Sequence, residues 1–176
     1  YGSIAELDDD AAILPDLLES EEKPLVQFVG GFVWGRFNSH GWEWVDNIKT
    51  ADWKLSQTGQ FLSFLPFSED TWKRVKKLLG KDQSTYWSKT SANPYEAKTG
   101  LDYAIDHLIQ YGRPYAALGC LQKILYEKQP INNKQAVKVL LEALRLPDKL
   151  NSMDVYEIVE IIKALQNDPE TNLDDL

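Results

Sequence analysis

Apolar side chains return every three or four positions along most of this chain, the spacing of one face of an α-helix. The first such row is Ala11, Ile13, Leu14, Leu17 and Leu18, with Asp10 placed to open the helix and Pro15 in its early turns or kinking it. Pro24 suits the first position of a second helix, along which Leu25, Phe28, Val29, Phe32, Val33 and Phe37 recur. Gly30, Gly31 and Gly35 fall inside that row. Each weakens a helix by about 1 kcal/mol relative to alanine, so a close helix neighbour is expected as compensation. Gly31 and Gly35 share one face and predict a packing seam. The run from Asn38 to Gly41 reads as a break, after which Trp42, Val45, Ile48 and Lys49 begin another helical pattern. Thr50 to Leu65 is read as helical around Gly59, with a strand as the alternative for Phe61 to Leu65.

The second half has plainer punctuation. Ser68 precedes a helix whose buried face is Trp72, Val75, Leu78 and Leu79, and Gly80 ends it. A short helix over residues 82–88 carries Tyr86 and Trp87, and residues 91–94 form a loop. Ala97, Leu101, Ala104, Ile105, Leu108 and Ile109 mark a longer helix closed by Tyr111 and Gly112. Pro114 opens the next, with Ala117, Leu118, Leu121, Ile124 and Leu125. After Pro130 and Asn132–Asn133 come Ala136, Val137, Leu140, Leu141 and Leu144, stopped by Pro147. Asn151 or Ser152 caps the last helix, with Val155, Ile158, Val159, Ile162 and Leu165, before Asp168 and Pro169. Openings near residues 96, 114, 134 and 152 imply helix pairs repeating every 36–38 residues or so, close to solenoid periods.

The expected fold is therefore all-α, with antiparallel helix pairs stacked as a short α-solenoid or an irregular bundle. The chain is read as one helical domain over residues 1–176: an acidic lead-in (1–24), an aromatic-rich half (25–90) and a regular helix-pair half (95–167). All six phenylalanines precede residue 73, whereas seven of the eight tyrosines follow residue 85, so two subdomains meeting within 66–94 are the alternative.

Charge and composition narrow the chemistry. The net charge is −8, but residues 1–24 carry eight acids against Lys23 alone, and residues 168–176 add four more acids, leaving the body near neutral. Acidic ends argue against nucleic acid as a partner, because phosphate contact needs a basic surface. The single cysteine, Cys120, rules out an internal disulfide and argues against a structural zinc site, and with two histidines no metal or other cofactor is expected. The longest apolar run, Leu25 to Phe37, spans 13 residues and includes Gln27 and Arg36, too short and too polar to cross a bilayer. A cytoplasmic location fits the sparse cysteine best. The chain begins at Tyr1 and is read as a segment of a larger protein.

Candidate sites are few. Trp34, Trp42, Trp44 and Trp53, with Arg36, are the candidate partner-binding residues, since exposed aromatics and arginine are enriched at interfaces; core filling is the competing reading. Lys73, Arg74, Lys76, Lys77 and Lys81 form a basic face, with Tyr86 and Trp87 nearby to stack on bases if nucleic acid bound there. The carboxylate pairs Glu43/Asp46 and Glu157/Glu160, His107 and Cys120 are read as ordinary surface or core residues, and no catalytic residue is assigned.

The phrase Tyr111-Gly112-Arg113-Pro114-Tyr115-Ala116-Ala117-Leu118 resembles the turn between the two helices of a tetratricopeptide-like unit. The wider pattern, over about residues 95–167, is similar to helical-repeat regions inside large bacterial multidomain proteins. That resemblance implies a non-catalytic scaffold that binds another protein or another domain of its parent chain. The alternatives are a ligand-binding or enzymatic helical domain with a tryptophan-lined pocket, and nucleic-acid contact through the Lys73–Lys81 face.

Overall fold

The computed structural model describes residues 10–146 and 152–167. Among these the regular structure is helical throughout: α1 (Asp10–Leu18), α2 (Lys23–Asn47), α3 (Leu55–Ser63), α4 (Glu69–Leu79), α5 (Ser84–Trp87), α6 (Leu101–Gln110), α7 (Pro114–Tyr126), α8 (Asn133–Leu144) and α9 (Ser152–Gln166), with one 3-10 turn at Pro94–Glu96. The chain divides into two compact units, residues 1–91 and 92–176. The division falls inside the interval where phenylalanine gives way to tyrosine.

In the first unit, α2 starts with proline in its first turn and buries Val29, Val33 and Arg36 at helical spacing. The break expected at Asn38–Gly41 narrows to Gly41, whose φ of 62° and ψ of −151° only glycine adopts cheaply. Beyond that kink Trp44 and Val45 are buried. The strand alternative for Phe61–Leu65 is not adopted. Phe61 and Leu62 are buried on α3, whose start is closed by the Gln57 side-chain oxygen accepting the Lys54 backbone N–H at 2.7 Å. α4 is strongly amphipathic and ends at Gly80, as the sequence predicts, although Leu78 is 39% exposed rather than buried. Phe67, Trp72 and Trp87 meet at ring-centroid distances of 5.0–6.2 Å in the interior between α4 and α5.

The packing seam expected through Gly31 does not form at that residue. A Cβ at Gly31 would meet nothing within 4 Å, whereas one at Gly30 would lie 3.0 Å from the Phe64 ring. The tightest approach is at Gly59, where a Cβ would fall 2.1 Å from Thr85 Oγ1 and 3.0 Å from the Thr85 backbone carbon, so α3 sits directly on α5.

In the second unit, α6 begins at Leu101 rather than near residue 96, because Gly100 in the left-handed region (φ 78°) separates it from the 3-10 turn. α6 and α7 are joined by a full Schellman turn: Gly112 N–H donates to the Ile109 carbonyl, and Arg113 N–H to the Leu108 carbonyl. The end of α7 repeats this geometry with Lys128 (φ 57°) in the position glycine normally takes. Asn132 caps α8 by accepting the Gln135 N–H at 3.2 Å, and the Gln135 amide donates to Asp106 Oδ1 at 2.8 Å, tying α8 to α6. The Tyr115 hydroxyl lies against the Ala143 and Leu146 carbonyls at the end of α8. The starts of α7, α8 and α9 at residues 114, 133 and 152 fall within one residue of those expected, whereas α6 starts at 101, so successive helix pairs are 32 and 38 residues apart (133 − 101 and 152 − 114). The readings placed on Pro147, Asn151, Asp168 and Pro169, and on the acids before Asp10, lie outside the described residues.

Candidate functional site

The tryptophans proposed as a binding surface separate into two sets. Trp44 and Trp53 both pack edge-on against Phe61, at 5.6 and 5.5 Å, as part of the first unit's interior. Trp34, Phe37 and Trp42 form a second array, with centroid distances of 6.1 and 4.8 Å, extended by the Arg74 guanidinium 4.1 Å over the Trp42 ring. Trp34 is 40% exposed, so this second array is the part a partner could reach.

Arg36 and Trp44 belong to a different structure from the one expected of them. Both are buried, and both donate to Asp10: Arg36 Nη2 to Oδ1 at 2.7 Å, and Trp44 Nε1 to Oδ2 at 2.8 Å. A buried guanidinium needs a carboxylate beside it, because an unpaired charge in the interior costs several kcal/mol, on the order of 3–5 when one partner is removed. With α1 in place neither residue lies on the surface, where a contact with a partner would need it. Asp10 opens α1, as the sequence predicts, and is also the counter-ion of the buried Arg36. Nothing in its sequence neighbourhood signals this, since Arg36 lies 26 residues away.

The basic face is also smaller than it reads. Arg74 makes a two-pronged contact with Asp46 (Nε–Oδ1 2.8 Å, Nη2–Oδ2 2.6 Å), and its third nitrogen donates to the Asp70 carbonyl at 2.8 Å. The Arg74 guanidinium beside Asp46 holds that carboxyl below its ordinary range. Lys73 lies 3.4 Å from Glu69, while Lys76, Lys77 and Lys81 are exposed. The face thus offers exposed lysines but no arginine fork free for phosphate.

In the second unit, α8 and α9 each carry two apolar faces. Ala136, Val139, Leu140 and Ala143 of α8 are buried, but Val137, Leu141 and Leu144, at steps of four and three, form another row, with Leu141 38% and Leu144 58% exposed. On α9, Ile161 and Leu165 are buried, while Val155, Tyr156 and Val159 are 50%, 55% and 41% exposed. The sequence pattern places Val137, Leu141, Leu144, Val155 and Val159 on the same stripes as the buried residues, and it omits Tyr156 and Ile161. The missed signal was width, because α8 has apolar residues at 136, 137, 140 and 141, a broader arc than one neighbour covers. Between α7 and α9 lies an open hollow of about 470 Å³, lined in part by Gln122, Leu125, Tyr126, Tyr156 and Glu160.

Cys120, His107, Glu157 and Glu160 lie in the second unit. Burial pushes the Cys120 thiol up to about 12, away from the nucleophilic thiolate. His107 Nδ1 lies 2.9 Å from the Tyr103 carbonyl, and its ring packs on Tyr103 at 4.1 Å. Glu160 pairs with Lys163 at 2.8 Å, and burial together with the charge of Asp154 raises Glu157. Among the described residues, no group of three or more His, Cys, Asp or Glu side chains could hold a metal ion, and no helix is long and apolar enough to cross a membrane. No family model, curated protein or solved structure matches this chain, so its assignment rests on an all-α fold of packed helices and on the surfaces that fold leaves open.

Proposed function

We propose that this chain is a non-catalytic helical module that binds another protein, or another domain of its own parent chain, through the outward apolar rows of α8 and α9. The observation that carries this reading is the pair of rows Val137–Leu141–Leu144 and Val155–Tyr156–Val159, each on a helix that already buries a separate apolar face. Ordinary surface helices turn charge outward, and exposed apolar patches on helices mark docking surfaces. A second helix pair stacked on this one would cover such rows, as in tetratricopeptide-like arrays, and the Gly112–Arg113–Pro114 hairpin supports that kinship. Its working compartment is the cytoplasm, in keeping with one buried, unpaired cysteine.

The test is a double substitution, Leu141→Lys with Val159→Lys, on the intact chain. Both side chains already face outward, so helicity and melting temperature stay near wild type. Association with the longer parent chain or its partner falls at least tenfold. A variant that binds as well as wild type ends this reading.

A further inference from the structure

We propose that α1 is a detachable ligand of its own unit, and that the seat it fills on α2 and α3 also accepts α1 from a second copy of this chain.

The seat is polar and specific. At one end the Arg36 guanidinium and the Trp44 indole N–H, both buried, receive the two oxygens of Asp10 at 2.7 and 2.8 Å. Midway, the Gln57 amide of α3 donates to the Pro15 carbonyl at 3.0 Å. At the far end Lys54 pairs with Glu19. Between these anchors Leu14 is fully buried and Leu18 nearly so, while Ile13, to one side of that row, is 51% exposed. The face presented to the seat is therefore Asp-x3-Leu-x3-Leu, one side of a single helix.

The helix in that seat is poorly able to stand alone. It has nine residues, and Pro15 removes one of its backbone bonds. Its attachment to α2 is a short exposed stretch containing Glu21 and Glu22, and α1 buries few large apolar side chains of its own. The seat's recognition thus lies mostly in the carboxylate that meets a buried cation, a feature that any copy of the same helix reproduces. Exchange of an identical element between copies is a low-cost route to dimers.

The experiment uses the full chain, its Asp10→Ala variant and a fluorescein-labelled peptide spanning residues 7–22, followed by fluorescence anisotropy. The variant's own α1 lacks the anchor while the peptide retains it, so the peptide binds the variant at least tenfold more tightly than it binds wild type. A peptide carrying the same Asp10→Ala change binds neither. Equal binding to both chains, or no binding to a variant with native circular dichroism, overturns the proposal. If the variant does not fold, hydrogen exchange on the wild-type chain decides: α1 amides exchanging at least tenfold faster than those of α2 and α3 support a detachable helix, and exchange in step with α2 overturns it. Wild-type chain at high concentration also forms a dimer that excess unlabelled peptide dissolves, and a chain monomeric at every concentration overturns the exchange between copies.

Discussion

Replacing Gly59 by alanine sets two effects of opposite sign against each other, and the structure decides between them. Within a helix, glycine to alanine ordinarily stabilises by up to about 1 kcal/mol, because alanine loses less backbone freedom on folding. Gly59 lies inside α3, so propensity alone predicts a gain. The new Cβ would fall 2.1 Å from Thr85 Oγ1 and 2.5 Å from Thr85 Cβ, well inside van der Waals contact. Rotating the Thr85 hydroxyl relieves the first clash but not the second, and the Thr85 backbone carbon at 3.0 Å limits any retreat of the side chain. α3 and α5 must separate, and overpacking of this kind costs about 1–3 kcal/mol. The net effect is a loss of about 1–2 kcal/mol in urea unfolding followed by tryptophan fluorescence. Thr85→Gly removes the clashing Cβ and recovers part of the loss in the double variant. Gly31→Ala is the matched control: it sits in α2 with open space around its Cβ position and stabilises by about 0.5–1 kcal/mol. Stabilisation by both alanines would show that α3 and α5 do not meet as described.

Other consequences can be checked one by one. Lys128 holds a left-handed conformation that favours glycine, so Lys128→Gly raises the thermal midpoint by an amount equivalent to about 1 kcal/mol; an unchanged or lower midpoint refutes the Schellman geometry at the end of α7. Cys120 is fully buried with its thiol pushed up to about 12, so it resists maleimide between pH 7 and 9 in the native chain and reacts on addition of urea; rapid native labelling contradicts its placement. The Asp46 carboxyl is held low by Arg74, so its folded pKa lies below its unfolded one. Its contribution is present above the unfolded pKa and is lost as pH falls through the folded value. Asp46→Asn therefore destabilises at pH 7 and converges on wild type in acid, by a small amount because Asp46 itself is largely exposed; an equal deficit at every pH would exclude the ion pair as the cause.

Much of the fold could be read before any coordinates. Pro114, Gly80 and Gly112 mark helix boundaries because each acts through its own backbone, and the Trp72–Val75–Leu79 face follows from spacing alone. The functional surface was harder to read, because it depends on partners distant in sequence. Arg36 on a helix surface and Arg36 against Asp10 have the same local pattern, and only the return of α1 tells them apart. Arg74 likewise sits in a lysine-rich helix and is consumed by Asp46, 28 residues earlier. Gly31 and Gly59 are chemically identical, yet one faces open space and the other a helix, a difference set by tertiary packing. On α8 and α9 the helices were legible, but which of their two apolar rows is buried depends on where α6 and α7 lie.

The proposal that α8 and α9 dock a protein is tested most directly by photo-crosslinking in the cells that make this protein. A benzophenone amino acid is placed in turn at Leu141, Leu144 and Val159, and at exposed Lys76 and Lys77 of α4 in the first unit. The three apolar positions form adducts with one discrete protein, or with another region of the parent chain, while the two lysine positions do not. Equal labelling at all five positions, or none at the apolar rows, would contradict it.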